Sequence, residues 1–286
     1  MAIWNRLGIN IGNNFNWTTT YPSDQVNAEL SELYAAGFRY IRIAHAEWDN
    51  AGGIANVKQA ALDAKAKGFY VMSGLSSVGT TTLTSSNWSS YRTSILDFAS
   101  WAQTNGINEF QVGNELESFN DDATLTDATL RLNIRTLGTD AKAAAPSCVI
   151  SYSVAQGGQN TNWIADNNKG GCDFLYLNVY GQHNNFPSFK SEIDSFLSVY
   201  KNGRISEFNI DPVHSDIMLL SDLEQRNELE LRMNYIIDKG ISIVYFFTWR
   251  WSGTDQFALK KTDGTYRSLW YDVLFNSKNR RSVIYV

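Results

Sequence analysis

Short runs of alternating or wholly apolar residues recur along the chain, separated by stretches whose apolar positions repeat every three to four residues. The short runs predict strands at residues 7 to 12, 38 to 44, 69 to 75, 108 to 115, 148 to 154, 173 to 180, 203 to 208 and 241 to 248. The longer stretches predict amphipathic helices. Val26, Leu30 and Leu33 share one face, as do Leu130, Ile134, Leu137 and Ala141, and so do Phe189, Ile193, Phe196 and Tyr200. These stripes are read as core contacts. A short polar segment at 161 to 169 is expected to hold a further helix, and one at 267 to 276 closes the series.

A glycine marks the junction from helix to strand at Gly37, Gly68, Gly106, Gly203 and Gly240, where a left-handed cap costs glycine least. This repeated punctuation argues for one architecture throughout. Strand and helix in strict alternation wind an open sheet or close into a barrel, and eight units is the number at which closure is expected. The reading is an α/β chain forming a single (β/α)8 TIM barrel over residues 1 to 286, with no linker or low-complexity segment to mark a second domain.

Composition narrows the partners. A net charge of −5 with 19% charged residues gives no phosphate-tracking surface, so no nucleic acid is expected. No run of about 18 apolar residues occurs, so no membrane span is expected. Cys148 and Cys172 make neither a disulfide framework nor a zinc-type ligand cluster; they start neighbouring strands and could meet, but the reading kept is two buried free thiols. The opening Met1 to Leu7 runs almost directly into a strand without a signal peptide. The expectation is action outside the cell or on a virion by another export route, or a leader already cut away. Oligomeric state stays open.

Barrels of this kind carry chemistry at the C-terminal ends of their strands. Those ends hold Asn10, Arg42, His45, Asn114, Glu115, Asn178, Tyr180, Glu207, Trp249 and Arg250. Two glutamates at the exits of separate strands are what acid-assisted cleavage of a glycosidic bond needs, and carboxyls about 5 Å apart would give retention of configuration. The surrounding amides, phenol and guanidinium suit a polyhydroxylated substrate. Trp17, Trp48, Trp88, Trp163, Trp249 and Trp251 fall at strand ends or just beyond, where aromatic faces could stack on sugar rings, whereas Trp4, Trp101 and Trp270 read as packing. Tryptophans spread over several loops suggest a groove with several subsites, hence endo action. No metal and no cofactor is called for.

Gly113-Asn114-Glu115, Ser206-Glu207-Phe208 and Phe247-Thr248-Trp249 on the fourth, seventh and eighth strands resemble the signature of clan A of the glycoside hydrolases, built on the (β/α)8 barrel. Ile41-Arg42-Ile43 followed by Trp48 is similar to the second strand of family five and family thirty-nine members. The resemblance implies that Glu115 is the general acid and base and Glu207 the nucleophile. It implies that Asn114 bonds the sugar 2-hydroxyl, that Tyr180 and Arg42 orient Glu207, and that Trp249 floors the subsite of the reacting sugar. The proline usual after Asn-Glu is Leu116 here, and the histidine usual two before the sixth-strand tyrosine is Asn178; neither change touches the mechanism. The third strand ends in Ser-Gly-Leu without a histidine, which weakens the resemblance to family five and its cellulose- or mannan-cleaving members.

Plainer readings stand beside these. Arg42 could be a structural ion-pair partner, and Tyr180 a buried hydroxyl with a local partner. His45, Glu47 and Asp49 could reach distal sugars or be solvated loop charges. Glu117 reads as a loop carboxylate, while His183 and Phe186 could line a subsite. A carbohydrate-binding barrel without turnover would show the same rim. A phosphate-handling barrel would want a glycine-rich cradle after the seventh or eighth strand, and 209 to 212 and 250 to 253 do not provide one.

Overall fold

A computed structural model describes residues 7–11, 22–76, 83–116, 128–156, 169–182, 184–211, 221–249, 258–261 and 263–268. Eight parallel strands close on one another in sequence order, with β8 pairing back to β1. They are β1 (Leu7–Ile11), β2 (Tyr40–Glu47), β3 (Tyr70–Ser76), β4 (Glu109–Asn114), β5 (Val149–Val154), β6 (Phe174–Gln182), β7 (Arg204–Asp211) and β8 (Val244–Phe246). The expected (β/α)8 barrel is therefore the fold. The helices described are α1 (Ser23–Ala36), α2 (Ala51–Ala66), α3 (Trp88–Thr104), α4 (Ala128–Ala144), α5 (Phe186–Val199) and α6 (Asp222–Asp238). The segment expected to be helical at 161 to 169 enters the described residues only at its end, as a single 3-10 turn at Lys169–Gly171. Most of the one at 267 to 276 lies outside them.

The helix stripes are buried as their spacing requires. Val26, Leu30, Leu33, Ile193 and Phe196 have no exposed surface, and Ile134, Leu137 and Ala141 of α4 join the same core between sheet and helices. Helix starts are fixed locally. Asn50 accepts the Gly53 N–H ahead of α2, and Ser221 forms a capping box with Glu224 ahead of α6. Gly37, Gly68, Gly106 and Gly240 take positive φ, from 61° to 102°. Gly203 does not. A Cβ there would lie 2.2 Å from the Phe196 ring, so this glycine answers to crowding and not to a left-handed cap.

Two differences at strand ends matter for the site. β8 covers only Val244–Phe246 of the stretch from 241 to 248, flanked by backbone bonds of Ile243 and Phe247 to β7, and the β7–β8 register slips between Ile205 and Phe208. Further slips lie between Ile43 and Ala46, Gln111 and Asn114, and Leu177 and Asn178. Such irregularities re-aim side chains at a barrel rim. Strict alternation would turn Ser206 and Glu207 to opposite faces of the sheet, yet both bond to partners at the barrel mouth.

The barrel interior is not apolar throughout. Met72, Tyr176, Ile243 and Tyr245 form a small cluster of their own toward the N-terminal end. Above them the axis is filled by Asn10, Arg42, Gln111, Ser153, Asn178 and Ser206, all fully buried and hydrogen-bonded. Cys148 and Cys172 are both buried and free. Among the described residues no helix is long and apolar enough to cross a membrane.

Candidate active site

Arg42 rises from β2 into the centre of the barrel and spreads its guanidinium over four partners. Its Nε donates to Gln111 Oε1 at 2.8 Å, and Nη1 donates to Asn10 Oδ1 at 2.7 Å and to Glu207 Oε1 at 2.6 Å. Nη2 donates to Asn114 Oδ1 at 2.8 Å. A planar fork can meet four acceptors on three strands beside its own in this way, and a lysine cannot. The Arg42–Glu207 pair is buried, with side-chain exposures of 0% and 6%. A buried pair is tolerable only when its remaining polar atoms are also met, as they are here.

The other carboxylate is held by a neutral group. Asn178 Nδ2 donates to Glu115 Oε1 at 2.8 Å and to Asn114 Oδ1 at 3.0 Å. In the β6–β7 ladder Asn178 stands opposite Glu207. Three hydrogen bonds, Glu115 to Asn178, Asn178 to Asn114 and Asn114 to Arg42, therefore link Glu115 to the arginine that pairs with Glu207. Asn114 Oδ1 accepts from Arg42, Asn178 and, at 3.2 Å, Gln111. With its carbonyl end so occupied, its Nδ2 is the end left for a ligand.

Glu115 itself sits just past β4 with φ at 50°, a left-handed conformation that is costly for a side chain with a Cβ. Its N–H donates to Ser153 O at 2.9 Å, and the next N–H, of Leu116, donates to Tyr152 Oη at 3.1 Å. These two bonds hold the bend that turns the carboxylate inward.

Tyr180, two residues beyond Asn178, donates its hydroxyl to Glu207 Oε2. Its ring stands edge-on to Phe247 at 5.7 Å. Burial first, then the charges of Glu207 and Glu115, holds the phenol well above its ordinary titration range, so it remains a donor. Both carboxylates thus act on one hydroxyl. A cavity of about 240 Å³ touches Tyr180 from the side of α5, with Gln156, Val179, Ser188, Phe189 and Glu192 among its lining residues and neither Glu115 nor Glu207.

The tryptophans differ from expectation. Trp48 is buried and packs edge-on against Tyr91 at 5.6 Å, and Trp88 meets the same ring at 5.4 Å. Trp249, next to the cis Phe247–Thr248 peptide, has no exposed surface and lies 6.1 Å from the Tyr266 ring. All three spend their apolar faces on the core, so none offers the open face expected of a sugar platform. Trp101 packs on Phe98, as expected of a packing residue. Phe186 meets Tyr235 edge-on. Glu47 accepts from Asn50 beside the start of α2. Trp17, Trp163, Trp251, His183, Glu117 and Arg250 lie outside the described residues, and of His45 only the backbone in β2 is described.

Three residues of this constellation carry no expected role in the sequence reading: Gln111, Ser153 and Ser206. They are polar residues at inward strand positions below the rim, in the same row as Asn10 and Arg42. Among the described residues, no group of three or more His, Cys, Asp or Glu side chains is placed to hold a metal ion.

No protein-family model and no curated protein matches the chain. Its fold is shared with solved structures at low identity. A GH113 β-1,4-mannanase superposes with a TM-score of 0.69 at 12% identity, over 98% of this chain and 100% of that one. A GH10 endoxylanase retrieved from a sugarcane soil metagenome gives 0.67 at 12% identity, over 95% and 97%. An FMN-binding β-glucuronidase from Facaelibacterium prausnitzii L2-6 gives 0.66 at 14% identity; the match covers 94% of this chain but only 43% of that longer protein. What these likenesses define is the fold, a closed (β/α)8 barrel, which this chain shares with structures described as a mannanase, an endoxylanase and a β-glucuronidase.

Proposed function

We propose that this chain is a retaining glycoside hydrolase that cuts a polysaccharide internally, with Glu207 as nucleophile and Glu115 as general acid and base. The observation that carries the reading is the contrast between the two carboxylates. Glu207 faces a permanently charged guanidinium at 2.6 Å, whereas Glu115 takes its bond from the neutral amide of Asn178 at 2.8 Å. A carboxylate beside a cation suits attack as an anion, and one beside an amide suits carrying a proton.

In the first step a Glu207 oxygen bonds the anomeric carbon as the bond to the leaving sugar breaks, and the Glu115 proton passes to the departing oxygen. In the second, Glu115 takes a proton from water, whose oxygen displaces Glu207 and restores the original configuration. Tyr180 and Arg42 orient Glu207 throughout, and Asn114 Nδ2 meets the sugar 2-hydroxyl. Endo action draws support from the endoxylanase among the similar folds.

A reducing-end assay over a panel of purified polysaccharides, bacterial exopolysaccharides included, tests the reading. Glu115→Gln and Glu207→Gln should each abolish release of reducing ends while the fold persists, and azide should restore turnover to Glu207→Gly with inverted product. Near-native activity in both single variants would refute the assignment. Glycan binding without release by the unaltered protein would point to a binding barrel instead.

A further inference from the structure

Beneath the two carboxylates runs a second connection, which shares Arg42 and the Asn178–Glu115 bond with the route through Asn114 but reaches Asn178 by other residues. Gln111 receives the Arg42 Nε–H on its carbonyl and donates from Nε2 to Ser153 Oγ at 2.7 Å. Ser153 Oγ lies 2.7 Å from Ser206 Oγ, and Ser206 donates to Asn178 Oδ1 at 2.6 Å. Asn178 then donates to Glu115. All four linking side chains, on β4, β5, β7 and β6, are fully buried.

The direction of every bond follows from the chemistry of its ends. Arg42 can only donate, so Gln111 must present its carbonyl to it and its amide to Ser153. Asn178 must present its amide to the carboxylate, so its carbonyl accepts from Ser206. The single Ser206 proton is then committed, and the Ser153 hydroxyl is left to donate to Ser206. The chain runs one way, from the guanidinium to Glu115. Hydrogen bonds aligned head to tail away from water polarise one another, each strengthening the next by roughly 10–30%.

We propose that Gln111, Ser153 and Ser206 are positioning residues that hold Asn178 against Glu115 and carry the influence of Arg42 to it. The function of the chain rests on the assignment of Glu115 and Glu207 above. While Glu207 is an anion it offsets only part of the guanidinium's charge, so the chain already favours the anionic form of Glu115 in the free protein. Once Glu207 is tied up as a neutral ester, the guanidinium loses that counter-charge, and the chain favours the anionic form of Glu115 more strongly. That is the stage at which Glu115 must take a proton from water.

The test is a titration of the two carboxyl groups by carbon-13 NMR on glutamate-labelled protein, which needs no substrate. In Ser206→Ala the Glu115 midpoint should move to higher pH by about half a unit, with the Glu207 midpoint in place. Ser153→Ala, the gentler change should Ser206→Ala unfold, should do the same. The double variant should shift no further, because a chain broken once is already interrupted. An unmoved Glu115 midpoint, an additive double variant, or an equal movement of Glu207 would each overturn the proposal. These readouts are separate from activity. If no polysaccharide is cut but Glu115 shifts as stated, the hydrolase reading fails and the coupling stands; if cutting is found and Glu115 does not shift, the reverse holds.

Discussion

Arg42 Nη1 lies 2.6 Å from Glu207 Oε1, and the arginine that makes this contact is wholly buried. The same side chain also holds Asn10, Gln111 and Asn114. Lysine would keep the charge but could not reach four acceptors in one plane. Arg42→Lys should therefore lower stability by about 2–4 kcal/mol, somewhat below the cost of removing one partner of a buried pair outright. If the hydrolase reading holds, kcat should also fall by ~10²–10³-fold through loss of the geometry around Glu207. Urea unfolding and a reducing-end assay check the two parts. A variant as stable as the parent would show that the fork contributes little.

Glu115 adopts a left-handed backbone at the exit of β4, and its side chain is not what makes that conformation comfortable. Glu115→Ala keeps the backbone cost and discards the bond to Asn178. Glu115→Gly removes the cost, so it should be more stable than Glu115→Ala by about 1 kcal/mol. If the hydrolase reading holds, both should also be inactive. Urea midpoints for the pair provide the comparison, and an alanine variant at least as stable as the glycine one would show that the bend is not strained.

Much of this arrangement was legible in the sequence because strand exits can be read from periodicity. Glu115, Glu207, Asn178 and Tyr180 were placed on one rim by counting strands, and the structure joins them through Arg42 and Asn114. The tryptophans resisted the same logic. Whether Trp48, Trp88 or Trp249 faces a groove or the core depends on how the segment after the strand folds back, and no alternation encodes that. Gln111, Ser153 and Ser206 were missed for a related reason. A polar residue at every second strand position looks alike whether that face meets water or, as here, a hydrogen-bonded barrel interior. The glycine at 203 was recognised as a junction but not for its cause, since the crowding comes from Phe196, seven residues earlier in the chain.

At the opposite end of the barrel a second buried glutamate offers a test by pH. Glu109 is fully buried; Tyr70 donates to its Oε2 at 3.0 Å and Arg204 Nη1 stands 3.7 Å from that oxygen. Burial raises its pKa, and the contributions of Arg204, Tyr176 and Tyr70 only partly offset this. A carboxyl raised on folding contributes stability that is full below the unfolded value, about 4.3, and lost as pH rises through the folded one. Glu109→Gln has no such proton to lose. The stability of the parent relative to Glu109→Gln should therefore decline as pH is raised from about 4 toward neutrality. Urea midpoints at several pH values measure the difference; a constant offset would mean that Glu109 does not titrate differently in the folded state.

Tyr245 is packed at the centre of the barrel, where a Cβ on Gly8 would lie 2.3 Å from its ring. Its hydroxyl is buried and finds no hydrogen-bond partner among the described residues. An unmet buried hydroxyl is costly, so Tyr245→Phe, which keeps the ring, should be neutral or stabilising by about 1 kcal/mol near pH 7. The same phenol is held well above its ordinary titration range, by burial first and then by Glu109. Its contribution is complete below pH of about 10 and declines above that, where the unfolded chain loses the proton and the folded one does not. The advantage of Tyr245→Phe should thus widen in alkali. Thermal melts at about pH 7 and pH 10.5 read both effects, and a variant that melts lower than the parent at both values would mean that the hydroxyl is bonded in the folded protein.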